Sequence, residues 1–249
     1  MNRYFSLFRP FVWWLLLLVS SSVFADGNLT IESFSKAKRL LLEKVYVEPS
    51  DRKTLYCEAR FDSQRKLTLD RGFSSPKYKN RLAKYETEHV VPAENFGRSF
   101  VAWREGHPLC VNSKGKAYKG RKCAEKVNAE YRLMQADLYN LFPAIGAVNA
   151  SRSNYNFTLL SSNASSFGSC DMRIKNRKVQ PPESARGQIA RSYLYMEASY
   201  PKYKMSASQR QLMQAWNKQY PVSGFECKRA ARIQQVQHNV NPVLHKLCG

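Results

Sequence analysis

Tyr85-Glu86-Thr87-Glu88-His89-Val90-Val91-Pro92-Ala93 reads as a short strand over residues 85–91, stopped by Pro92. Glu88 and His89 are adjacent in it. Glu88 is a hard oxygen ligand. His89, with an ordinary pKa of about 6.5, offers a neutral imidazole at neutral pH that can take a proton from water. On a regular strand the two side chains point to opposite faces. They can serve one site only where the strand ends or twists, which the nearby proline allows. Residue types alone leave other readings open, because a Glu-His pair at a strand end is commonly a solvated surface feature.

Downstream lies Asp137-Leu138-Tyr139-Asn140-Leu141-Phe142-Pro143-Ala144-Ile145-Gly146-Ala147-Val148-Asn149-Ala150-Ser151-Arg152-Ser153-Asn154. Pro143, Gly146 and the many asparagines make residues 140–157 read as loop mixed with short elements. Asn149 can lend a neutral carbonyl oxygen. Together with Glu88 it would suit Mg²⁺, which keeps several waters and takes few protein ligands plus substrate phosphates. The plainer reading of the asparagines is turn chemistry.

The flanking sequence supplies the scaffold. Phe34, Ala37, Leu41 and Val45 predict a helix within 30–47, and Val127, Tyr131, Met134 and Leu138 predict one at about 126–138. Residues 54–61 alternate like a strand, and 64–84 read as a polar, basic loop. Residues 104–122 form a Gly- and Lys-rich excursion. Three more helical patterns, at about 184–199, 206–218 and 226–237, are punctuated by Pro201 and Pro221. Phe96, Phe100 and Trp103 read as core, and His107, His238 and His245 as structural or surface residues. No internal repeat or linker is visible, so one mixed α+β domain is expected.

The N-terminus has its own pattern. Arg3 and Arg9 precede an apolar run from Phe11 to Val19, then Ser20-Ser21-Ser22 and Val23-Phe24-Ala25. This fits a signal peptide over residues 1–25, cleaved after Ala25, which would place the protein in the periplasm or outside the cell. No later stretch is apolar enough for stable membrane insertion. Six cysteines behind an export signal argue for disulfides. Local closure favours Cys110–Cys123 and Cys227–Cys248, which leaves Cys57–Cys170, although spacing alone cannot choose among the possible pairings.

Charge narrows the partner. Forty Lys and Arg against 19 Asp and Glu give a formal net charge of +21 over 249 residues. The leader holds two arginines and no acid, so a mature chain over 26–249 keeps +19. Such an excess points to a polyanion: nucleic acid, an anionic membrane or an acidic polysaccharide. Arg65, Lys66, Arg71, Lys77, Lys79, Arg81 and Lys84 could form a footprint on a nucleic-acid backbone, and nothing near them resembles a base-reading helix. A hydrophobic fraction of 43% and only 11 glycines and 11 prolines exclude a disordered, collagen-like or low-complexity chain.

The words Glu-His-Val-Val-Pro-Ala, Asp-Leu-x-Asn-Leu-x-Pro-Ala-Ile-Gly-x-Val-Asn and Arg-Ser-Asn occur in this order. They are followed by Val179-Gln180-Pro181-Pro182-Glu183-Ser184-Ala185-Arg186-Gly187-Gln188-Ile189-Ala190-Arg191, Tyr220-Pro221-Val222 and Glu226-Cys227-Lys228-Arg229. Over about 54–248 the chain resembles the endonuclease I family, bacterial periplasmic or secreted non-specific nucleases of the ββα-metal (His-Me finger) class. The resemblance implies a single α+β domain with a ββα-metal core at about 85–157, additional C-terminal helices and disulfides. It implies hydrolysis of double- and single-stranded DNA, and of RNA, to 5′-phosphate ends by a monomer using Mg²⁺, with Mn²⁺ or Ca²⁺ as alternatives.

Carried over by position, His89 matches the catalytic histidine, and Glu88 and Asn149 match the metal ligands. Arg121 is similar to the arginine that contacts the scissile or product phosphate, a role that a bidentate guanidinium suits. Gln135 stands where a glutamate that orders metal-bound water is expected. Tyr139 stands where histidine is commoner, and Ala147 where glutamate is commoner. The chain is also one residue shorter between Arg121 and Cys123. Arg186 and Arg191 could bind phosphate or could form internal ion pairs. The alternative to an enzyme is a non-catalytic exported nucleic-acid-binding protein, which the changes at Gln135 and Ala147 would favour.

Overall fold

The computed structural model describes residues 26–161 and 164–248, so the expected leader lies outside the described residues. The first helix, α1 (Phe34–Leu40), starts at Ser33, whose side chain accepts from the Lys36 amide. It runs into a π-helical turn, Leu41–Val45, and buries Ala37, Leu41 and Val45 as the spacing predicts. Strands β1 (Arg60–Phe61) and β2 (Leu67–Thr68) pair antiparallel. Only the end of the expected 54–61 strand is paired, because Thr54 donates its amide to the Ala59 carbonyl and turns the chain.

Strand β3 (Tyr85–His89) ends at the residue the sequence singled out. Two short helices follow, α2 (Ala93–Gly97) and α3 (Val101–Arg104). The expected helix at 126–138 is two, α4 (Arg121–Val127) and α5 (Ala129–Gln135). Asn128 separates them in extended backbone, and its side chain caps α5 by accepting from the Tyr131 amide.

The largest departure lies at 140–157. Instead of loop, it holds β4 (Leu141–Ile145), α6 (Gly146–Arg152) and β5 (Asn156–Phe157). β4 is buried along its whole length, so it carries no alternation to betray it. Its Pro143 is tolerated because β3 and β4 form a two-stranded sheet, where each strand has an open edge. The antiparallel register sets Tyr85 opposite Ile145, Glu88 opposite Phe142 and His89 opposite Leu141. Two antiparallel strands followed directly by a helix thus lie at the centre of the chain.

Strands β6 (Arg173–Lys175) and β7 (Lys178–Gln180) complete a second sheet in the order β5-β7-β6. Helices α7 (Glu183–Ser199), α8 (Ala207–Gln219) and α9 (Gly224–Gln237) match the expected patterns, and α10 (Pro242–Cys248) is an addition. Among the described residues, no helix is long and apolar enough to cross a membrane. Cys57–Cys170, Cys110–Cys123 and Cys227–Cys248 are bonded, the pairing that local closure favoured.

Two buried polar hubs fix β4. Arg229 of α9 donates to the carbonyls of Leu138 and Leu141, 2.7 Å each, and lies over the Phe142 ring. Asp137 accepts from the hydroxyls of Tyr195 and Tyr200, the Gln237 amide group and the backbone of Asn28 and Tyr139. These bonds join the amino-terminal segment, α7 and α9 to the turn that feeds β4. Burial alone would push the Asp137 carboxyl up, and the donors around it pull the other way. Tyr139, where histidine was expected, donates to the carbonyls of Ala230 and Asn239. Ala147, where glutamate was expected, is fully buried.

Candidate active site

The site is built where β3 stops. Glu86 and Glu88, two apart on the strand, share a face. Asn149 and Arg152, three apart on α6, share a face of the helix. The two faces meet. The Asn149 amide group donates to Glu86 Oε2 at 3.1 Å, and Arg152 Nη1 donates to Glu88 Oε1 at 2.9 Å. Gly146 lets the helix start this close. A Cβ there would sit 2.5 Å from the Arg81 carbonyl oxygen and 2.8 Å from Glu86 Oε1.

Glu88 is 3% exposed. Besides Arg152, the Tyr56 hydroxyl donates to its Oε1 at 2.6 Å. Burial raises its carboxyl above the ordinary range, while Arg152 and Tyr56 oppose that rise. Arg152 is wholly buried and also donates to the carbonyls of His89 and Val90, so one guanidinium clamps the end of β3. Glu86 is held in turn by Arg81, which removes Arg81 from the free basic surface. Arg65, Lys66, Arg71, Lys77, Lys79 and Lys84 remain exposed.

His89 is the last residue of β3 and lies opposite Leu141. Its Nε2 lies 2.8 Å from the Gln135 carbonyl oxygen. A carbonyl only accepts, so Nε2 carries the proton and Nδ1 keeps the lone pair. The imidazole packs against Phe34 at 4.8 Å between ring centroids and against Phe96 at 6.3 Å. Burial pushes its pKa down to about 3, helped by the positive charges of Arg121, Arg152 and Lys38. It is therefore a neutral proton acceptor throughout the neutral range.

Arg121, at the start of α4, reaches the same corner. Its Nε and Nη2 lie 3.4 Å from Gln135 Oε1, and its guanidinium carbon lies 5.0 Å from the Phe34 centroid. Gln135 is completely buried, and its side-chain Nε2 has no partner. Its backbone carbonyl meets the His89 imidazole and its side chain meets the arginine, so it links the two groups.

His89, Gln135 and Arg121 thus form one cluster; Arg152 ties Glu88 to the His89 backbone and Asn149 contacts Glu86, so all these residues belong to the region around β3. Arg186 and Arg191 do not. Arg186 donates to Glu183, the Pro181 carbonyl and the Tyr220 hydroxyl. Arg191 makes a two-pronged bond to Glu226, at 2.7 and 2.6 Å, and binds the Tyr220 carbonyl. Both are buried in internal ion pairs that tie α7 to its surroundings, the second of the two alternatives the sequence allowed. Phe96 and Phe100 are core, while His107, His238 and His245 are exposed.

Sequence reasoning missed Tyr56, Phe34 and Lys38. Phe34 was hidden within a helical apolar stripe. Tyr56 had no motif of its own, and only its neighbour Cys57 drew notice. Arg152 did stand in the Arg-Ser-Asn word, but no role was assigned to it.

A buried imidazole linked through Gln135 to an arginine, with the buried Glu88 carboxylate and Asn149 on the neighbouring β3 and α6, suits chemistry at an anionic centre. The chain belongs to the endonuclease I family, whose sequence profile matches residues 43–248. A periplasmic deoxyribonuclease from Aeromonas hydrophila is 39% identical over 94% of this chain and 93% of its own length. An extracellular deoxyribonuclease from the same species is 39% identical over 97% of this chain and 100% of its own length. Endonuclease-1 of Buchnera aphidicola subsp. Acyrthosiphon pisum (strain APS) is 35% identical over 88% of this chain and 83% of its own.

Proposed function

We propose that this protein is an exported, metal-dependent endonuclease that hydrolyses phosphodiester bonds of double- and single-stranded DNA, and of RNA, without sequence specificity. The central strands and α6 serve as a ββα-metal motif. The observation that carries the reading is the contact of His89 Nε2 with the Gln135 carbonyl, 2.8 Å. With Nε2 committed to the Gln135 carbonyl, Nδ1 is left as the base.

The residues fit a hard divalent cation. Asn149 uses its amide nitrogen on Glu86, which leaves Oδ1 as the donor, and both side-chain donors to Glu88 meet Oε1. One carboxylate and one amide oxygen suit Mg²⁺, with Mn²⁺ or Ca²⁺ as substitutes. When bound, such an ion supplies charge stabilisation at the phosphate and the leaving oxygen. His89 Nδ1 takes the proton of the attacking water. Arg121 holds a non-bridging phosphate oxygen, where negative charge grows. Attack in line with the 3′ oxygen leaves a 5′-phosphate.

The exposed lysines and arginines of 63–84 engage the backbone and read no bases, in keeping with the absence of specificity. We assign a monomeric protein, delivered to the periplasm or beyond by cleavage after Ala25. The test is a supercoiled plasmid incubated with disulfide-intact protein. Nicking with Mg²⁺, its loss with EDTA, and 5′-phosphate ends are expected. A plasmid that is retarded but uncut would favour the non-catalytic binder.

A further inference from the structure

We infer that Lys38 of α1 seats a backbone phosphate next to the one held by Arg121, with the Phe34 ring as their shared platform. The inference deepens the nuclease reading and rests on it. α1 precedes residue 43, where the family match begins, so the match assigns it nothing.

Three observations support it. Lys38 Nζ lies 4.9 Å from the centroid of the Phe34 ring, the same ring that sits 5.0 Å from the Arg121 guanidinium carbon and 4.8 Å from the His89 ring. A cation over an aromatic face is held there electrostatically, so the ammonium is kept beside the site and not swung into solvent. Second, no carboxylate pairs with Lys38 among the described residues, although its neighbour Arg39 pairs with Glu43. Third, Gln135 Nε2 is a buried donor without an acceptor in the same corner. Two cations thus share the Phe34 ring, one of them beside the Gln135 side chain, and anions would satisfy both. Successive phosphates of one strand provide such anions, and each one neutralised releases condensed counterions.

The experiment measures binding of a duplex oligonucleotide in EDTA across a series of salt concentrations, with plasmid cleavage in Mg²⁺ followed in parallel. For Lys38→Gln the slope of log K against log salt should fall in magnitude by about 0.9, the value of one lost phosphate contact on B-DNA. Lys38→Arg should keep the native slope, and so should Lys36→Gln, whose side chain is exposed on the same helix. An unchanged slope for Lys38→Gln in a protein that still cuts plasmid would overturn this inference and leave the nuclease reading intact. An equal loss in Lys36→Gln would also overturn it, since charge count alone would then explain the effect. A native protein that neither binds the duplex nor cuts plasmid would defeat the nuclease reading and this inference with it.

Discussion

Replacing Arg152 with methionine should be among the most damaging single changes outside the chemistry itself. The guanidinium is wholly buried and makes bonds to Glu88 Oε1 and to the carbonyls of His89 and Val90. Methionine fills much of the volume and supplies none of the donors. What remains is a carboxylate, 3% exposed, with the Tyr56 hydroxyl and the His89 backbone to compensate it. Breaking a buried pair from one side costs about 3–5 kcal/mol. At about 2–4 °C per kcal/mol for a domain of this size, the midpoint of thermal unfolding should fall by roughly 6–20 °C.

The pH dependence follows from the same cause. Burial already raises Glu88, and Arg152 is the largest influence opposing it. Without Arg152 the folded state holds the proton to higher pH than the unfolded state does, so the loss should grow as pH rises above the ordinary carboxylate range. Circular dichroism melts of the oxidised protein measure both effects. Adding Glu88→Gln to Arg152→Met removes the orphaned charge and should recover part of the midpoint. A fall of less than about 2 °C in the single variant, or a double variant lower than the single one, would refute the reasoning.

On the proposed reading, Mg²⁺ would need the ionised form of Glu88. The midpoint gain given by Mg²⁺ should therefore fade on acidification at a pH above the ordinary carboxylate value, and His89→Gln should not abolish that trend. A gain independent of pH would contradict it. Gly146→Ala should cost roughly 1–3 kcal/mol by overpacking, because the added Cβ meets the Arg81 backbone and Glu86. It should also weaken Mg²⁺ binding through Asn149, and a melt with unchanged midpoint and unchanged Mg²⁺ response would oppose this. Reduction of the disulfides should lower activity. The largest share should come from Cys57–Cys170, which spans 113 residues and sits beside Tyr56, where chain entropy gives about 4.7 kcal/mol for a loop of ~100 residues. Equal activity of reduced and oxidised protein would count against that.

The site was partly legible because its chemistry is local in sequence. Glu88, His89 and the stop at Pro92 stand in one word, and Arg152 bonds both the Glu88 carboxylate and the His89 carbonyl. The C-terminal helices were legible from periodicity and proline. β4 was not, since a continuously buried strand containing proline has neither alternation nor a clean boundary. α6 was masked by Gly146 and Asn149, residues that belong to turns on propensity but are retained here for close approach and for their bonds. Arg186 and Arg191 show the converse. A basic side chain near a helix start is equally a phosphate contact or an ion pair until Glu183 and Glu226 are located in space. Phe34 and Lys38 lay in a helix remote in sequence, and only packing brings them to His89.

The proposed chemistry rests on His89 Nδ1 as the base. It is tested most directly by His89→Ala, assayed for plasmid nicking in Mg²⁺ and for retardation of the same plasmid in EDTA. Nicking should almost disappear while retardation matches the native protein, because the basic surface and Arg121 are untouched. Nicking at the native rate would contradict it.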